Sequence, residues 1–165
     1  MRSSEEWPAA TRIHTRRLIL EPLRVGHADE MVFVLGDAAL YEFTGGAPPT
    51  LEELRTRYAR QVSGRSPDRT QGWLNWIVRE QRHLTAVGAV QATLLHDGKD
   101  MVANVAWVIG MPYQRRGYAT EAAKAIVAGA FARERLSRRS RSPRADTAAV
   151  RSVERARFDP LRYPY

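Results

Sequence analysis

Cysteine is absent from all 165 residues of the chain. That excludes disulfides, thiolate metal sites and a cysteine nucleophile. No apolar run is long enough to span a bilayer. The amino-terminal Met1, Arg2, Ser3, Ser4, Glu5, Glu6, Trp7 and Pro8 lack the apolar core of a secretory signal. There is no glycine-rich loop ending in Lys-Ser and no Gly-x-Gly-x-x-Gly, so ATP and dinucleotide readings have little support. His14, His27, His83 and His96 are scattered without metal-ligand spacing. Capping or surface roles are expected for them, and no metal. The default expectation is a soluble cytoplasmic protein, because lack of cysteine fits a reducing compartment.

Hydrophobic residues make up 44% of the chain, which excludes wholesale disorder. The length suits one domain with a real core. The formal charge of +8 is unevenly placed: residues 133–165 hold ten arginines and four acids, a net +6. The rest is nearly balanced. The basicity therefore belongs to the tail, which could contact nucleic acid or ribosome or stay solvated.

Residues 16–23 read as a first strand, with Leu18 and Leu20 on one face and Ile19 on the other. Residues 27–41 read as a helix with Met31, Val34 and Leu35 in its apolar stripe. After the break at Gly45, Gly46, Ala47, Pro48 and Pro49, Thr50 and Glu53 have the spacing of a capping box. Leu51, Leu54, Tyr58 and Val62 then predict a helix to about Ser63. Three strands follow, over 73–80, 86–95 and 101–110, with Asp97-Gly98 as a hairpin signal between the last two. The third has bulky residues at Met101, Val105, Trp107 and Ile109, and small ones at Asn104, Ala106 and Gly110. A helix is predicted over 120–135, its buried stripe made by Ala123, Ile126, Val127, Ala130 and Phe131. This order gives an α+β fold, with helices packed on one mixed, mostly antiparallel sheet.

The most informative stretch joins the third strand to that helix: Gln114, Arg115, Arg116, Gly117, Tyr118 and Ala119. A short basic loop entering a helix suits a pyrophosphate, because its N–H groups can converge on the anion and the helix dipole adds attraction. Gly117 permits a backbone conformation that a β-carbon would hinder. The stretch resembles the acyl-CoA binding motif of the GNAT N-acetyltransferases, Gln/Arg-x-x-Gly-x-Gly/Ala, with Gln114, Gly117 and Ala119 at its defined positions. The strand before it and Thr120, Glu121, Ala122 and Ala123 after it resemble the family's central strand and phosphate-side helix. Thr15, Arg17, Leu18, Leu20, Pro22 and Leu23 resemble the opening of the branch that includes ribosomal-protein N-terminal acetyltransferases.

The resemblance implies a GNAT-like fold and acetyl-CoA as co-substrate. It implies direct attack of a primary amine, from a peptide amino terminus or a small molecule, on the thioester carbonyl. It places the cofactor on Val108, Ile109 and Gly110 and on Gln114, Arg115, Arg116, Gly117, Tyr118, Ala119 and Thr120. It puts the loop 42–49 near the acceptor. Glu42 and Glu80 are candidate general bases, neither of which is assigned, so the catalytic residues stay unknown.

The resemblance weakens after residue 136. In place of a buried strand stand Ser137, Arg138, Arg139, Ser140, Arg141, Ser142, Pro143 and Arg144. Burying several guanidiniums there would cost several kcal/mol each. In the helix-like 146–158, Asp146, Ala149 and Arg157 replace the usual Asn, Ser and Gly, and the tyrosine that often protonates the thiolate has no match. The organisation expected is a GNAT-like body over 1–136 and an atypical basic segment over 137–165. That segment is a basic arm, disordered, or a product of a shifted reading frame, and it leaves the fold incomplete or irregular. It predicts impaired turnover and an exposed sheet edge open to dimerisation. The rival readings are a non-catalytic basic module for ribosome or nucleic acid, using Arg138, Arg139, Arg141 and Arg144, and an inactive truncated acetyltransferase.

Overall fold

A strand that is apolar on both faces must be covered on both sides, and the long strand over 71–80 is such a strand. Leu74, Trp76 and Val78 are buried on one face and Asn75 and Ile77 on the other. The structure, a computed structural model, describes residues 7–42, 45–97 and 100–137. The elements run β1 (Ile13–His14), β2 (Leu18–Pro22), α1 (Ala28–Val34), α2 (Leu51–Gln61), β3 (Gln71–Glu80), β4 (Ala86–Asp97), β5 (Asp100–Ile109) and α3 (Tyr118–Ser137). Single 3-10 turns lie at Val25–His27, Ala38–Tyr41 and Met111–Tyr113.

Among the described residues, five strands form one sheet in sequence order, every pairing antiparallel. The α+β reading therefore holds. On one face Leu18, Leu20, Trp76, Val78, Val90 and Val105 pack against Tyr118, Ala122 and Ile126 of α3. On the other, Ile77 and Ala86 pack under Met31 and Leu35 from α1 and its end, and Leu54 and Tyr58 of α2. Full burial of each Leu contributes roughly 1.5–3 kcal/mol.

Local chemistry sets the boundaries. Thr50 and Glu53 form the expected capping box, with each side chain bonded to the other residue's N–H. The helix expected over 27–41 is instead broken, with α1 ending at Val34. Gly36 is a poor helix former, and the Asp37 carboxylate accepts from Ala39 N–H at 2.9 Å, which starts a separate 3-10 turn. Val62, expected in the apolar stripe of α2, is exposed as its C-cap. The two-residue β1 was not anticipated; it pairs Ile13 with Leu20. Helix α3 begins at Tyr118, two residues earlier than expected, and Ala122 joins its buried stripe. The side chains of Ala130 and Phe131, and the segment 138–165, lie outside the described residues.

One close approach fixes the end of β5. A Cβ added at Gly88 would lie 2.2 Å from the Val108 carbonyl oxygen, a backbone atom that cannot swing away. Gly88→Ala is expected to lose about 2 kcal/mol of stability by overpacking. Urea unfolding at constant m-value would measure it. An unchanged midpoint would show that β4 and β5 can part without cost.

Candidate functional site

Antiparallel pairing alternates residues that bond their neighbour with residues that face away. Gly110 N–H donates to Val87 O at 2.9 Å, across the register that pairs Ile109 with Gly88 and Val108 with Ala89. Gly110, Val108 and Ala106 therefore bond toward β4. Trp107 and Ile109 turn their N–H and C=O groups to the opposite edge, where no described strand pairs. The Gln114 side chain amide donates to the Ile109 carbonyl at 2.9 Å, which locates that group on the loop side. Of the strand residues expected to serve the cofactor, Ile109 offers backbone groups at the edge. Val108 spends its groups on β4, while Gly110 gives its N–H to β4 and its carbonyl to Tyr113 N–H at 2.9 Å.

The loop is exposed from Gln114 to Gly117. Arg115 has φ 61° and Gly117 φ 76°, both in the left-handed region. Two such residues flanking Arg116 turn the backbone sharply within three positions, the kind of loop whose N–H groups can converge on an anion. Holding a non-glycine residue there costs roughly 1–2 kcal/mol, so the Arg115 conformation must be enforced by its surroundings. Glu121 N–H donates to Gly117 O at 3.0 Å, which makes Gly117 the N-cap of α3. Glycine has no side chain with which to cap the first turn, and the N–H groups of Tyr118, Ala119 and Thr120 start a 20-residue helix. This geometry fits a diphosphate, and the exposed Arg115 and Arg116 add positive charge. The Tyr118 side chain is buried in the core and donates its hydroxyl to Glu80 at 3.0 Å, so only its backbone faces the loop.

Three residues not assigned to the site from sequence support it. Arg17 donates from its backbone N–H to Glu121 Oε1 at 2.9 Å and from Nε to Oε2 at 2.7 Å. Its Nη1 donates to the Arg116 carbonyl at 2.8 Å, and its guanidinium lies 4.8 Å from the Tyr118 ring centroid. Thr15 donates its hydroxyl to Glu121 Oε1 at 2.6 Å. Partial burial pushes the Glu121 carboxyl up, but the Thr15 hydroxyl and the Arg17 N–H and guanidinium outweigh it and hold the pKa below the usual range. Thr15, Arg17 and Glu121 were visible in sequence only as parts of strand and helix motifs. Their meeting across about a hundred residues carries no local signal.

Of the two candidate bases, Glu80 is bound to the Tyr118 hydroxyl on the α3 side of the loop. Glu42 is an exposed C-cap of the 3-10 turn Ala38–Tyr41. Phe43 and Thr44 of the expected acceptor loop lie outside the described residues. His27 has a capping role: it is buried and its Nδ1 accepts from Arg24 N–H at 3.0 Å. A groove of about 1110 Å³ opens at the other end of the sheet, lined among others by Trp7, Gln61, Arg69, Trp73 and Asn75. None of Gln114–Thr120 lines it, so the groove is separate from the loop. No described helix is long and apolar enough to cross a membrane.

Fold and loop together define an α+β domain in which a strand edge, unpaired among the described residues, runs through a basic loop into a helix. The chain belongs to the GNAT acetyltransferases: the family profile described as "Acetyltransferase (GNAT) domain" matches residues 17–158. A search of curated proteins finds no significant match. Among solved structures, a GNAT-family acetyltransferase from Bacillus anthracis superposes with a TM-score of 0.59 at 18% identity, covering 76% of this chain and 69% of that one. An acetyl transferase from Salmonella typhimurium, described as modifying the N-terminal serine of the 50S protein L7/L12, gives 0.57 at 14% identity over 88% and 82% of the two chains. RimL, the ribosomal L7/L12 alpha-N-protein acetyltransferase, solved in complex with coenzyme A, gives 0.56 at 14% identity over 72% and 67%. At these identities the likeness is one of fold.

Proposed function

We propose that this protein is a cytoplasmic N-acetyltransferase that takes the acetyl group of acetyl-CoA to a primary amine, on a peptide amino terminus or a small molecule. The observation that carries the reading is the pair of left-handed residues, Arg115 and Gly117, set between a strand edge unpaired among the described residues and a helix that starts after a glycine. Trp107 and Ile109 would bond the amides of the pantetheine arm through their outward backbone groups. The N–H groups from Arg115 to Thr120 would hold the diphosphate, with Arg115 and Arg116 neutralising its charge.

Acetyl-CoA supplies a thioester carbonyl already activated for acyl transfer. The amine nitrogen forms the new C–N bond as the C–S bond breaks. The amine gives up its proton, and the thiolate leaves and is protonated. No acyl-enzyme is required, which suits a chain without cysteine. What the protein contributes is placement of the carbonyl and exclusion of misaligned approach.

Acetyl-CoA at a hundred times its dissociation constant stabilises a native state by about 2.7 kcal/mol. For a chain of this size that is a rise in melting temperature of roughly 5–10 °C. Acetyl-CoA is expected to produce it and RNA to leave the melting temperature unchanged. A shift with RNA alone would replace this reading with that of a basic binding module. Acceptor-dependent thiol release over peptides and small amines would then identify the amine.

A further inference from the structure

We propose that Arg17 is a positioning residue that sets the phosphate loop in its anion-accepting conformation from the opening strand region, 99 residues upstream of Arg116. The inference rests on the acetyl-CoA reading for its ligand, but not for its geometry. A trans peptide holds C=O and the following N–H on opposite sides of one plane. By drawing the Arg116 carbonyl toward itself at 2.8 Å, Arg17 turns the Gly117 N–H the other way. That peptide lies in the turn made by the two left-handed residues, Arg115 and Gly117.

The brace is anchored at both ends. Glu121, one turn into α3, holds Arg17 through two oxygens, and Thr15 adds a third bond to the same carboxylate. The guanidinium also stacks on Tyr118, the first residue of the helix, whose hydroxyl is tied to Glu80 at the end of β3. An isolated ion pair at a surface contributes little. Here one guanidinium joins a loop carbonyl, a helix carboxylate and an aromatic face, so its removal releases several restraints at once. It also balances the Glu121 charge, which would otherwise repel an anion bound at the start of α3.

Arg17→Met keeps most of the side chain's volume and removes every donor of the guanidinium. Calorimetry would compare coenzyme A with pantetheine, which lacks the diphosphate. Arg17→Met is expected to weaken coenzyme A about tenfold and to leave pantetheine unchanged. Arg17→Lys is expected to restore part of the loss, since an ammonium can reach one partner but not the set. Amide hydrogen exchange in the free protein should accelerate at Gly117 in Arg17→Met. If Arg17→Met does not fold, Glu121→Gln tests the same brace, with an expected threefold loss for coenzyme A alone. Unchanged coenzyme A affinity and exchange would overturn the proposal, as would equal losses for both ligands. Faster exchange at Gly117 in a protein whose wild type binds no coenzyme A would uphold the brace and overturn the acetyl-CoA reading instead.

Discussion

Replacing Gly117 with tryptophan is expected to abolish coenzyme A binding while the domain stays folded. Gly117 sits at φ 76°, where a side chain adds roughly 1–2 kcal/mol of strain. A Cβ there would lie 3.4 Å from Arg17 Nη2, and an indole beyond it would have to displace the brace or fill the turn. Either outcome removes convergent N–H donors from the diphosphate. Loss of a few charge-assisted hydrogen bonds corresponds to a hundredfold or greater fall in affinity, about 2.7 kcal/mol. The fold should tolerate the change because the loop is exposed and Gly117 is in neither apolar cluster. Gly117→Ala, with the strain but without the indole, should fall between the two. Calorimetry beside a melting curve would report both quantities. A folded Gly117→Trp with undiminished affinity would move the ligand site elsewhere.

Sequence revealed the parts of this site whose signals are local. The strands over 73–80 and 86–95, the Thr50–Glu53 capping spacing and the basic glycine loop each depend on neighbours within a few residues. The structure has them where they were expected. Gln114 and Gly117 were legible because a turn into a helix restricts which residues fit. The break at Gly36 was missed because the apolar stripe through Met31, Val34 and Leu35 outweighed a glycine and the capping aspartate after it. Tyr118 was misjudged as a loop residue: helix α3 begins there and its ring turns into the core. Nothing in sequence separated outward Trp107 and Ile109 from inward Val108 and Gly110. That distinction needs the pairing of β5 with β4, a register fixed by contacts between strands. The Arg17–Glu121 brace was hidden for the same reason, since its two halves lie in different elements.

Arg79→Met is expected to cost about 3–4 kcal/mol of folding stability, the loss typical when a buried ion pair keeps only one partner. Arg79 stands at a register shift in β3 and serves two carboxylates at once. Its Nε donates to Glu21 at 2.6 Å and its Nη1 to Glu30 at 2.8 Å, with Nη2 paired to Glu30 as well. Glu21 is only 7% exposed, and without Arg79 it keeps the more exposed Arg24 and Arg12 and the buried His27. Burial pushes the Glu21 carboxyl up, but hydrogen bonding and charge from Arg79, with help from His27 and Arg24, hold it below the usual value of 4.5. A carboxyl with a depressed folded pKa contributes stability that is full above its unfolded value and is lost as pH falls through the folded one. His27 acts in the same direction at higher pH. Burial keeps its pKa below 6.5, so the unfolded chain binds the extra proton first and stability declines as pH drops below that value. The wild type should therefore weaken on the acid side in two steps, below about 6.5 and again below about 4.5. Arg79→Met should be weaker throughout and lose much of the second step, because the group that depresses Glu21 is gone. Arg79→Lys should recover only part, since an ammonium cannot span both carboxylates in the geometry of a guanidinium. Urea unfolding from pH 7 to pH 3.5 would resolve both steps. An Arg79→Met protein as stable as wild type at pH 7, with the same m-value, would show that Glu21 is satisfied by Arg24, Arg12 and His27 without Arg79.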